Sequence, residues 1–408
     1  MIQQGSLSQY FKKLYGGSCV ERLEGSLDSI DVRGLVRISA LFTIIEFVRM
    51  DIIMPSYLAR LGADPAALGL IYSTGAGARS IARVLGGIVM SLVGWKRLVA
   101  TSFLIRILSY LLLSYSNRLE CATIAIISIS ASRGLETPAY LSAIALASGS
   151  AVARGFGLAL SLRMAPGIIA PLLTGLIAEH ASPIAVFMIS GTLCLASLVM
   201  VVMSRNWEGT SNFSFKRCKH FLSQQFALLL ISTFTLFTAV GSFRPFFYYW
   251  ITDELRQGYA TLGVIVTVSE ILALFSRVYS GVLAERIGYS TAFALVGVVR
   301  SLSLLAMSLS SSLIVVVASF LTLRSIMAAP SRNALISRMV PKELYGVAYA
   351  LVGLAADMGG ALGPALIGYI IGKYGFQIGF TTLAAIYLVF TAVALQLKKL
   401  RSIDVESC

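Results

Sequence analysis

The sequence predicts an all-α integral membrane protein with twelve transmembrane helices in two pseudo-symmetric six-helix bundles. Three observations carry this. Hydrophobic residues make up 57 % of the 408 residues and charged residues only 13 %, against about 25 % charged in a soluble domain. Apolar stretches near the roughly 20 residues that cross a bilayer recur twelve times. The chain is also written twice: Gly87-Ile-Val-Met-Ser-Leu-Val-Gly94-Trp-Lys96-Arg97 returns as Gly281-Val-Leu-Ala-Glu285-Arg286-Ile-Gly288-Tyr-Ser-Thr291, at an offset of 194. Arg83 and Arg277, and Arg106 and Arg300, keep that offset, while Pro171 with Pro364, Arg49 with Arg244 and Arg133 with Arg324 fall at 193, 195 and 191. A doubled hydrophobic chain of this length is the mark of a secondary transporter.

In chain order, a polar tail (1–33) precedes a first bundle (34–203), a central loop (204–222), a second bundle (223–397) and a short tail (398–408). The expected spans are 36–58, 67–90, 98–115, 121–148, 155–178 and 182–203, then 223–250, 260–284, 291–309, 312–337, 346–371 and 376–396. Residues 1–33 hold no apolar stretch of their own, so no cleavable signal is expected. Of the 33 lysines and arginines, nineteen fall on the side of the termini and four (Arg60, Arg118, Arg256 and Lys373) in the opposite loops. That asymmetry places both termini in the cytoplasm, in a multi-pass protein of the plasma membrane. It also accounts for the net charge of +14 without nucleic acid as a partner. The basic run Lys216-Arg217-Cys218-Lys219-His220 in the central loop fits the same anchoring. The aromatic run Phe246–Trp250 reads as an interfacial belt, with the outer mouth of a central cavity as the alternative.

Several functions are disfavoured. The five cysteines are scattered and the two histidines, His180 and His220, are far apart, so neither a metal nor another cofactor is expected. There is no HExxH, no GxSxG and no Walker-type phosphate loop, which speaks against an enzyme and against ATP-driven pumping.

Ten arginines remain inside the spans: Arg49, Arg79, Arg83, Arg106, Arg133, Arg163, Arg244, Arg277, Arg300 and Arg324. Five acids accompany them: Glu46, Asp51, Glu136, Glu270 and Asp357. An arginine at a span centre costs roughly 2.5–3.5 kcal/mol on insertion scales, so most of these groups must face the bundle interior. Glu46 with Arg49, and Arg133 with Glu136, are spaced three apart, which puts each pair on one helical face. The exact doubling of Arg83, Arg106, Arg277 and Arg300 favours a structural role for them. The candidates for binding substrate or protons are Glu46, Arg49, Asp51, Arg133, Glu136, Arg163, Arg244, Glu270, Arg324 and Asp357.

Gly281-Val-Leu-Ala-Glu285-Arg286-Ile-Gly288 resembles the cytoplasmic loop motif of the major facilitator superfamily. Its first-half copy keeps Gly87, Gly94, Lys96 and Arg97, but Ser91 and Leu92 stand where the family has an acid and an arginine. Arg133-Gly134 is similar to the family's buried-arginine motif, and Gly167, Pro171 and Gly175 to its exporter-associated motif, repeated as Gly360, Gly363 and Pro364. The resemblance covers about 34–400. It implies a central cavity between two rocking bundles, gate contacts near Gly87 and Gly281, and helices bent at the prolines. It implies a monomeric secondary transporter of a small solute, with proton-coupled export as the leading expectation, of drug or metabolite efflux type. Uptake or exchange of an organic anion is the alternative, on the excess of buried arginine.

Overall fold

The computed structural model describes residues 32–115, 117–147, 159, 161–163, 165–204, 223–340 and 345–404. The N-terminal tail, the central loop with its basic run and the last four residues lie outside them. Helices dominate: α1 Val32–Thr43, α2 Met54–Arg60, α3 Pro65–Val93, α4 Trp95–Tyr115, α5 Leu119–Ala147, α6 Ala170–His180 and α7 Pro183–Met203 in the first half. The second half contributes α8 Gln224–Tyr249, α9 Tyr259–Ile287, α10 Tyr289–Leu309, α11 Leu313–Arg324, α12 Ala328–Met339 and α13 Tyr345–Asp404. Gly375, at φ 84°, divides α13 into two arms.

Local chemistry sets the starts. Asp64, Ser182 and Ser223 each accept a hydrogen bond from the backbone N–H three residues on, at 2.7, 3.1 and 3.2 Å, which satisfies a donor that the first helical turn leaves free. Pro65 and Pro183 occupy the first helical position, where a missing N–H costs nothing. Gly94 and Gly288, at φ 80° and 90°, make one-residue turns between α3 and α4 and between α9 and α10. Both copies of the repeated motif therefore end on a backbone that L side chains rarely adopt.

Seven stretches are individually long and apolar enough to cross a membrane among the described residues: Trp95–Tyr115, Pro183–Met203, Gln224–Glu254, Tyr259–Arg277, Tyr289–Leu309, Leu313–Met339 and Ala348–Leu397. The last contains both arms of α13. The expected spans outside this set are those that carry charges or break. The first is interrupted between Thr43 and Met54 by two short 3-10 turns, with Val48 extended (φ −129°, ψ 125°). Another is interrupted at Pro166–Ile168 before α6.

Broken backbone inside a membrane protein needs partners for its polar groups, and side chains supply them. Arg49 N–H donates to Thr174 Oγ1 at 2.8 Å, and Met327 N–H, in the gap between α11 and α12, donates to Ser280 Oγ at 2.9 Å. The aromatic run expected as a lipid-facing belt is instead internal. Phe246, Phe247, Tyr248 and Trp250 are all buried; Phe247 stacks on Phe320, and Trp250 packs edge-on against Phe380. Five consecutive large rings cannot all face one way on a helix, and here Phe320 of α11 covers Phe247 while Phe376 and Phe380 of α13 cover Tyr249 and Trp250.

Helices alternate in direction, so one face of the bundle carries the chain ends (the terminal face) and the other carries Gly62, Ala181 and Gly375 (the far face). The two halves meet closely towards the far face. Gly69 lies against the backbone of Pro364 and Gly368, and Gly368 against that of Pro65. Gly175 lies against the carbonyl of Tyr259, and Gly263 against that of Pro171. A Cβ at any of the four would overlap main chain. Ser73 Oγ accepts from Ala365 N–H at 2.8 Å, and Thr267 Oγ1 from Leu172 N–H at 3.1 Å. Closer to the loops, Tyr259 donates to Ser56 Oγ at 3.0 Å, the Arg60 guanidinium sits over the Tyr259 ring, and Glu179 accepts from Ala260 N–H at 2.7 Å.

Candidate functional site

The breaks in the first span and before α6 lie beside the buried charges. Gly167, in the turn that precedes α6, lies 3.9 Å (from the place a Cβ would occupy) from Arg49 Nη1. Arg324 ends α11 next to the third break, whose Ile326 carbonyl accepts from Arg300.

The charged side chains form three groups. In the first, Arg163 bridges Glu46 at 3.2 Å and Glu136 at 3.5 Å, and Glu136 pairs with Arg106 at 2.7 Å. Arg106 and Glu136 are each only 2 % exposed. Ser132 Oγ accepts a further bond from Arg106 Nε at 3.2 Å, and Arg163 lies over the Tyr140 ring. Two arginines and two acids make this group neutral.

In the second group Asp51 holds Arg49 in a two-pronged pair at 3.0 and 2.9 Å. Glu270 then collects three guanidiniums: Arg324 at 3.0 Å, Arg49 at 3.8 Å and Arg244 at 3.9 Å. Three arginines face two acids, an excess of one positive charge. The third group is the pair Arg83–Asp357, which joins α3 to α13 across the halves.

Arg79 and Arg133 belong to none of these, and neither joins an ion pair among the described residues. The buried Arg79 Nε and the buried Tyr72 hydroxyl have no hydrogen-bond partner. Gly134 packs α5 against α3 at the level of the Arg79 carbonyl. Arg133 is exposed, and its charge acts on Asp51, Tyr72 and Arg79.

The sequence-derived candidates are thus largely gathered, but in different partnerships from those the spacing implies. Glu46 and Arg49 do not share a face, because the helix ends before them and Val48 is extended; Glu46 goes to Arg163 and Arg49 to Asp51. Arg133 and Glu136 sit on a regular helix, but Glu136 turns to Arg106 on α4. Arg83, which its doubling marks as structural, makes the cross-half pair instead. Arg79 is the residue that the sequence reading left aside; its only signal there is its place among the ten intramembrane arginines. Arg106 and Arg300 fit the structural expectation, Arg300 being buried against Tyr387 and Ile326.

The loop motif is open on the terminal face. Arg97, Glu285 and Arg286 are exposed and join no ion pair among the described residues, while Lys96 donates to the Ser204 carbonyl at 2.8 Å. Nothing but Pro330, at 4.0 Å, lies near the Cβ position of Gly281, and Gly87 has open space there. Helix α13 continues through Pro364, and Pro171 stands just inside α6, after the break. These prolines and the nearby glycines form interhelical contacts: Gly175 and Pro171 meet α9, Gly363 meets Thr238 on α8, and Gly360 meets Gly241.

The sequence pattern of the Major Facilitator Superfamily matches residues 38–224 and 229–403. No curated protein sequence matches the chain. Among solved structures, it is similar to a bacterial homolog of the human lysosomal transporter Spinster in an inward-facing and occupied conformation (TM-score 0.73, 11 % identity, covering 90 % of this chain and 96 % of that one). It is also similar to a POT family transporter in complex with a thioalcohol-conjugated peptide (0.71, 14 %, 90 % and 96 %) and to the nucleoside transporter NupG (0.68, 14 %, 90 % and 98 %). At these identities the likeness concerns the fold. With the family pattern spanning most of the chain over a multi-pass helical bundle, the chain belongs to the Major Facilitator Superfamily and is a membrane transporter of small solutes, not an enzyme.

Proposed function

We propose that this transporter is a secondary active carrier of a small organic anion. The observation that carries the reading is the charge balance at the centre. Eight arginines (49, 79, 83, 106, 133, 163, 244 and 324) face five acids, each of these acids lies in an ion pair, and Arg79 and Arg133 join none among the described residues. Uncompensated arginine at membrane depth is costly and is relieved by a carboxylate or phosphoryl group, which the guanidinium fork grips with two parallel bonds.

Proton-coupled export, the leading expectation from the sequence, needs an acid that can take up and release a proton. Glu46 and Glu136 are both engaged by arginine in ion pairs, which weighs against them as the coupling acid. In the proposed cycle the bundles 34–203 and 223–397 rock about the central charges in a plasma-membrane monomer. The excess of lysine and arginine on the terminal side supports cytoplasmic termini. The glycine contacts then close the outer side, and the exposed Glu285 and Arg286 mark an open cytoplasmic side.

The test is counterflow in proteoliposomes with labelled carboxylates, phosphate esters, nucleosides and lipophilic cations. Anion exchange that falls at least tenfold in Arg133→Gln is the expected result. Transport confined to neutral or cationic solutes would sink the reading.

A further inference from the structure

The unpaired positive charge at the centre is divided between the two halves. On the first-half side, Arg79 of α3 and Arg133 of α5 stand on helices that touch at Gly134, and among the described residues no acid forms an ion pair with either; Asp357, whose charge reaches Arg79, is paired with Arg83. On the second-half side, Arg244 of α8 is 41 % exposed, and the nearest carboxylate oxygen, Glu270 Oε1, is 3.9 Å away, beyond hydrogen-bond reach. Glu270 is already engaged by Arg324 at 3.0 Å, and the Arg49 charge is matched by its two-pronged pair with Asp51. Arg324 Nε is buried without a partner. The excess is two charges at the first pole and one at the second. Tyr72 lies two turns along α3 from Arg79; its buried hydroxyl has no hydrogen-bond partner among the described residues, and it feels the charges of both Arg133 and Asp51.

We infer that the carried solute is a multiply charged anion with an acidic group at each end, one held by Arg79 and Arg133 and the other by Arg244 beside Glu270, with Tyr72 as a further donor to the solute. The inference rests on the anion reading above. A monoanion satisfies one pole and leaves the other uncompensated in a low-dielectric setting, where unpaired charge is expensive. A dicarboxylate, a tricarboxylate or a phosphate ester bearing a second acid satisfies both. Because the poles belong to different halves, such a solute ties the halves together when it binds, and a monoanion does not.

Binding of matched probes to the full chain in detergent, by calorimetry, tests this. The probes are propionate, succinate, tricarballylate, methyl phosphate, 3-phosphoglycerate and neutral succinamide. Succinate, tricarballylate or 3-phosphoglycerate should bind at least tenfold more tightly than its monoacid counterpart. Arg133→Gln and Arg244→Gln should each bring the dianion down to monoanion affinity. Affinity in the unmodified protein should fall more steeply with salt for the dianion, a readout that does not depend on any variant folding. Equal affinities, or equal salt slopes, for mono- and dianions would overturn the two-pole inference and leave the anion reading standing. Binding of succinamide alone would remove both.

Discussion

In the first half of the chain, Arg106, Glu136, Arg163 and Glu46 neutralise one another across elements of that half. In the second half a single acid, Glu270, is shared by Arg324, Arg244 and, from across the seam, Arg49. Both sets combine arginines with acids, yet the repeat does not map one onto the other: Arg106 is ion-paired while its counterpart Arg300 lies against Tyr387 and Ile326, and Arg324 is ion-paired while its counterpart Arg133 is in no ion pair among the described residues. A closed set braces helices; a set with a surplus donor invites a ligand. Repeated sequence therefore does not imply repeated use.

Replacing the buried acid of the first set should do most harm. Glu136→Gln strands Arg106 in a site with 2 % exposure, and breaking a buried pair costs about 3–5 kcal/mol. The apparent melting temperature in detergent should drop sharply, and Arg106→Leu combined with Glu136→Leu should recover most of the loss. An unchanged melting temperature in Glu136→Gln would break the brace side of the comparison. Glu270→Gln should cost less, about 2 kcal/mol, as expected for a lost charged hydrogen bond, and should tighten anion binding by adding one net positive charge. Weaker anion binding in that variant would show Glu270 to be a positioning residue rather than a competitor. The smallest effect should come from the turns. Gly94→Ala meets no neighbour within 4 Å and Gly288→Ala meets only Thr291 at 4.0 Å, so each is destabilised only by the backbone strain it introduces, about 1 kcal/mol. Equal losses in the two halves, measured by thermal unfolding, would sharpen the view that here the repeat is used alike.

Much of the architecture was legible because its signals are local. The 194-residue repeat, the paired turn glycines and the lysine and arginine asymmetry need no knowledge of contacts. The identity of the central charges was legible too, since charge inside an apolar span is conspicuous. Their pairing was not. Arg163 meets Glu46 across 117 residues, and Arg83 meets Asp357 across 274. The three-residue spacing of Glu46 and Arg49 misled because it presumes a continuous helix where the chain is extended at Val48. The aromatic run misled for a related reason: composition at a span end resembles a belt whether lipid or another helix covers it.

At Gly69, Gly175, Gly263 and Gly368 the halves touch main chain to main chain, with no side chain interposed. Such a joint is blind to the chemistry of the cargo. The residues that line the centre can be rewritten for another solute while the moving joint stays as it is, provided the four glycines remain. The molecule thereby separates two problems, what to carry and how to move, onto residues that can vary independently of each other.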